Sequence, residues 1–65
     1  MHTREELGQR IAIIREEKKL SQQELADLSG ITQTNISRIE QGKYSVGFDI
    51  LVKIAEALGK RIDIV

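Results

Sequence analysis

The 65 residues carry 10 Lys plus Arg against 10 Asp plus Glu, a net charge of zero that speaks against sequence-indifferent binding to a polyanion, which relies on excess cations. A chain this short buries only about 60% of the surface it exposes when unfolded, so one small domain spanning residues 1–65 is expected, with no room for a large substrate cavity. The absence of cysteine excludes a disulfide framework and a thiolate metal site, no apolar run approaches the roughly 18 residues of a membrane span, and the charged start Met1–Arg10 is unlike a signal peptide, so a cytoplasmic location away from the membrane is expected.

The first predicted element is an amphipathic helix from Thr3 to about Lys18. Thr3 and Glu6 have capping-box spacing, and Leu7, Ile11 and Ile14 recur on one face. Gly8 inside that pattern reads as a tolerated cost of about 1 kcal/mol relative to Ala. A second capping box, Ser21 with Glu24, opens a helix of about two turns that carries Leu25, Ala26 and Leu28 and stops at Gly30. Thr32 then caps a third helix through Gln41, with Ile36 and Ile39 as its apolar positions and Gly42 as its stop. The fourth covers roughly Phe48 to Leu58, with Phe48, Leu51, Ile54, Ala55 and Leu58 at helical spacing and Gly59 closing it. In the tail, Lys60 to Val65, β-branched residues alternate and predict a strand. The expected fold class is all-α, a compact four-helix domain with a short C-terminal β-strand.

Residues for catalysis are few. His2 is next to the chain start, where a solvated residue is the ordinary reading. Glu5 with Glu6, and Glu16 with Glu17, are adjacent on a helix and point about 100° apart, so neither pair converges on a proton or a metal. No catalytic residue, metal site or cofactor is therefore expected. The third helix is more informative. With Gln33 as zero and about 100° per residue, Ser37 falls at about 40°, Gln41 at about 80°, Thr34 at about 100° and Arg38 at about 140°, with Ile36 and Ile39 on the other side. This strip of uncharged hydrogen-bonding side chains plus one arginine can match base edges in a DNA major groove, although composition alone leaves a plain polar surface helix equally open.

The segment SQQELADLSGITQTNISRIEQGK, Ser21 to Lys43, closely resembles the helix-turn-helix of the lambda-repressor-like, Xre-type transcriptional regulators, and the flanking LGQRIAIIREEKKLS and LVKIAEALGK extend the resemblance over roughly Leu7 to Lys60. The resemblance implies a lambda-repressor-like DNA-binding domain whose second helix crosses the DNA backbone and whose third lies in the major groove. On it, Gln33, Thr34, Ser37 and Arg38 are expected to read bases, with Asn35 less central because its angle of about 200° turns it to the flank. Arg38 suits guanine, Gln33 adenine, and the Thr34 methyl a thymine methyl. Gln22 matches a family position that touches phosphate and braces the recognition-helix glutamine, and Gln41, Lys43, Tyr44 and Ser45 flank that helix as further DNA-backbone contacts. Arg15 and Glu40 match a bridging pair, with an unrelated surface Glu40 as the alternative. Ala26 and Gly30 are packing and turn residues, and Leu25, Ile31, Ile36 and Ile39 are core.

Relatives in this family often continue into a fifth helix, whereas this sequence reads KRIDIV. A lone strand needs a partner. The expectation is a homodimer joined by the strand 61–65, with packing across its own helices as the alternative; Ile13, off the core face, could add to such an interface. The function expected is sequence-specific regulation of transcription, as a repressor that binds double-stranded DNA as a dimer at a pseudo-palindromic operator through the recognition helix 32–41. Two other readings stand beside it: an antitoxin that binds a toxin protein and regulates its own operon, and a helix-turn-helix scaffold used only for protein contacts.

Overall fold

A computed structural model describes residues 3–62, in which four helices follow one another: α1 Arg4–Glu17, α2 Gln22–Ser29, α3 Gln33–Glu40 and α4 Phe48–Ala57. The first three helices start where the sequence supplies a side-chain cap. The Thr3 hydroxyl accepts from the Glu6 amide at 3.1 Å while the Glu6 carboxylate accepts from the Thr3 amide at 3.1 Å. Ser21 and Glu24 repeat the exchange at 3.0 and 2.7 Å, and the Thr32 hydroxyl accepts from the Asn35 amide at 3.2 Å. These bonds satisfy amides that have no partner inside the helix. Only α4 starts without a side-chain cap, on Gly47. Gly30, at φ 74°, turns the chain out of α2 in the left-handed conformation that glycine adopts without steric cost.

Amphipathic stripes from all four helices meet in one core of Ile11, Leu25, Ala26, Ile31, Ile36, Ile39, Ile54 and Leu58, against which Leu7, Ile14, Leu20 and Leu51 pack partly buried. The four residues expected in the core from the helix-turn-helix are all buried. Two apolar residues from the helical patterns lie elsewhere: Phe48 at the first position of α4 is 67% exposed, and Leu28 near the end of α2 is 61% exposed. Leu28 lies on the outer side of α2, turned away from the buried Leu25, Ala26 and Ser29, and Phe48 at the first position of α4 precedes the buried part of that helix at Ile54. The tail differs from its expectation as well. Lys60–Ile62 form no regular structure, and the rest of the expected strand lies outside the described residues. No helix among the described residues is long and apolar enough to cross a membrane.

Gly8 has a role that its helical setting conceals. A Cβ built there would run into the carbonyl oxygens of Ile39 and Glu40, so α1 passes the last turn of α3 at a distance that only glycine permits. Gly42, at φ 75°, turns the chain away from α3 with Glu5 of α1 against it. Gly8→Ala should therefore destabilise the domain by about 1–3 kcal/mol, because the clash outweighs the helix-propensity gain of about 1 kcal/mol. Urea unfolding would show it as a lower midpoint; an unchanged or higher midpoint would rule out the close approach.

Candidate nucleic-acid interface

The geometry of α3 follows from its two sides. Ile36 and Ile39 are fully packed into the core. That leaves Gln33, Thr34 and Arg38 exposed on the outer side, with Asn35 and Ser37 half-buried. Gln22, at the start of α2, joins Gln33, Thr34, Ser37 and Arg38 around a shallow, open depression of about 350 Å³. The structure thus brings together four of the five residues expected to read bases. Asn35 lies outside this set, in keeping with its angle on the helix.

Glu40, the last residue of α3, is the most heavily bonded side chain of the region. The Arg15 guanidinium donates to it twice, from Nε to Oε2 at 2.7 Å and from one terminal nitrogen to Oε1 at 3.0 Å, and the amide of Gln22 donates to the same Oε1 at 3.0 Å. The other terminal nitrogen of Arg15 donates to the Leu20 carbonyl at 2.7 Å. Only 6% of the Glu40 side chain and 12% of the Arg15 side chain remain exposed. The bond to Glu40 holds the Arg15 guanidinium above its ordinary pKa, against the opposing effect of burial, so Arg15 keeps its charge. The expected bridge between Arg15 and Glu40 is present. Gln22 departs from the resemblance: its amide braces Glu40 where a bond to the recognition-helix glutamine was anticipated. A carboxylate accepts more strongly than a neutral amide oxygen does, which accounts for the preference.

The residues after α3 are arranged in a tight turn. The Lys43 amide donates to the Arg38 carbonyl at 2.9 Å, which leaves the Lys43 side chain exposed beside Ser45, while Tyr44 is half-buried against the core. The Gln41 side-chain amide donates to the Ser37 hydroxyl at 3.0 Å. Sequence reasoning treated Ser37 and Gln41 as separate; their spacing of four residues on one helix is the signal that could have joined them. No group of three His, Cys, Asp or Glu side chains that could hold a metal occurs among the described residues.

The sequence matches the profile of the family described as Helix-turn-helix over residues 11–65. It is 43% identical over 58 residues to an uncharacterised HTH-type transcriptional regulator, y4dL, of Sinorhizobium fredii, covering 89% of this chain and 30% of that protein. It is 44% identical over 55 residues to the HTH-type transcriptional repressor RghR of Bacillus subtilis, covering 83% of this chain and 41% of that protein. The chain therefore spans less than half the length of these curated relatives. Among solved structures, the restriction-modification controller protein C.AhdI of Aeromonas hydrophila superposes with a TM-score of 0.88 at 34% identity, covering 89% of this chain and 88% of that one.

Removing one side of the buried pair should cost far more than removing its neutral neighbour. Arg15→Ala should lower stability by about 3 kcal/mol or more by stranding the Glu40 carboxylate, and Gln22→Ala by about 1 kcal/mol. Equal losses in urea unfolding would contradict an ionic hub.

Proposed function

The chain belongs to the helix-turn-helix family of transcriptional regulators, and from that premise we propose that it is a sequence-specific repressor that binds a pseudo-palindromic operator as a homodimer, inserting the recognition helix 32–41 into the major groove. The observation that carries this reading is the depression shared by Gln22, Gln33, Thr34, Ser37 and Arg38 on the outer side of α3. These side chains offer donors, acceptors and a methyl group, with one cation and no free acid. A surface helix that served only to face water would have no need of such a set.

In this reading Arg38 takes the two acceptors of a guanine, Gln33 takes adenine, and the Thr34 methyl meets a thymine methyl, with Ser37 beside them and Asn35 at the flank. Gln22, Gln41, Lys43, Tyr44 and Ser45 hold the sugar-phosphate backbone and set the register of the helix. Two such helices about 34 Å apart read two half-sites, which is why a dimer suits the task. An apolar groove of about 880 Å³ between α1 and α4, lined by Leu7, Ile14, Leu51 and the exposed Ile13 and Ile62, supports association on the side that also carries the start of segment 61–65.

Selection from random duplexes should return a consensus of about 10–20 base pairs with two-fold symmetry; no enrichment would refute the proposal. Gln33→Ala and Arg38→Ala should each lose about 1–3 kcal/mol of binding at particular base positions, whereas a loss spread evenly over all sequences would make them backbone contacts. Sedimentation should give a dimer for the full chain and a monomer for a chain ending at Gly59; equal masses would remove the C-terminal segment from the interface.

A further inference from the structure

Helices α1, α3 and α4 close in the same way, by two backbone bonds that reach back over the last turn. The Lys19 amide donates to Glu16 and the Leu20 amide to Arg15 at the end of α1; Gly42 to Ile39 and Lys43 to Arg38 close α3, and Gly59 to Glu56 and Lys60 to Ala55 close α4. This closure needs one residue in the left-handed conformation, which glycine adopts freely and a side chain opposes. Gly42 and Gly59 fill that place at φ 75° and 70°, whereas α1 has Lys19 there at φ 60°. Among the described residues Lys19 is the one residue other than glycine with a positive φ.

Nothing within the fold accounts for a lysine at this strained place. Its side chain is exposed, and among the described residues its ammonium forms no hydrogen bond and no ion pair. A cation near the end of α1 favours the helix dipole, but Arg15 and Lys18 already supply one there. The position itself is closely fixed. The turn at Lys19 delivers the Leu20 carbonyl to Arg15 Nη1 at 2.7 Å, Arg15 bonds Glu40, and Glu40 bonds Gln22, which lines the depression beside α3. Lys19 thus stands three residues before Gln22, on a turn tied to the same carboxylate that holds Gln22 in place.

Resting on the DNA-binding reading above, we infer that Lys19 is a phosphate contact, which extends the DNA surface from the recognition helix onto the turn between α1 and α2. A lysine suits this task as a mobile point charge on a long stem, and it carries no base preference. Together with Lys43 it gives each subunit two cations for the sugar-phosphate backbone.

The test is thermal unfolding, and duplex binding as a function of salt, for the full chain and for Lys19→Gly, Lys19→Gln and Lys19→Arg. Lys19→Gly should melt no lower than the unaltered chain, yet bind every duplex about tenfold more weakly at roughly 0.1 M salt, with a logarithmic salt slope shallower by about 1 per subunit. Lys19→Gln keeps a side chain on the strained backbone and should lose binding to the same extent, which separates lost charge from the added freedom of glycine. Lys19→Arg should bind as the unaltered chain does, and the selected consensus should be the same for all four proteins. The inference is overturned if Lys19→Gln keeps the unaltered affinity and salt slope, or if Lys19→Gly melts lower, which would make the lysine a structural part of the helix end. An absent consensus for the unaltered chain would instead overturn the DNA-binding reading itself.

Discussion

The carboxylate of Glu40 organises the part of the molecule that faces outward. It ends α3, receives two hydrogen bonds from Arg15 of α1 and a third from Gln22 of α2, and so ties three helices at one point. A carboxylate withdrawn from water is costly unless its lone pairs are met by well-placed donors, and here a planar guanidinium supplies two of them in a matching fork. Because the arrangement is directional, it fixes the angle of α3 against α1 as apolar packing alone would not.

A backbone constraint acts on the same end of α3. The absent Cβ of Gly8 lets α1 lie against the carbonyls of Ile39 and Glu40, and that approach brings Arg15, two turns along α1, to the Glu40 side chain. Ile36 and Ile39 hold the inner side of the helix in the core. The C-terminal end of α3 is thus anchored by packing, by close backbone approach and by charge. The outer face keeps a row of polar side chains on a rigid support, the arrangement a base-reading surface requires.

Much of this was legible beforehand because it is encoded locally. Capping boxes at Thr3 and Ser21, the left-handed stop at Gly30 and the two-sided character of α3 follow from residue type and spacing within one or two turns. Four of the five residues expected to read bases share one depression for the same reason. What escaped was non-local. Nothing within α1 tells a costly glycine at position 8 from a required one, since the requirement comes from α3. The choice of Gln22 to bind Glu40 depends on two helices meeting. Leu28 falls off the buried side of α2 and Phe48 precedes the buried part of α4, and apolar character alone does not separate either from a core position.

The net charge of zero becomes coherent in this light. Within residues 31–46 the cations are Arg38 and Lys43 and the one acid is Glu40, whose charge is spent on Arg15. In the proposed reading, a surface with few cations and many neutral donors and acceptors draws its affinity from matched base contacts in preference to phosphate neutralisation. The dependence of operator binding on salt concentration measures that division directly. The account predicts a shallow logarithmic slope of about −2 to −4 per dimer, from a few released counterions; a slope of about −10, as for a protein that neutralises ten or more phosphates, would contradict it.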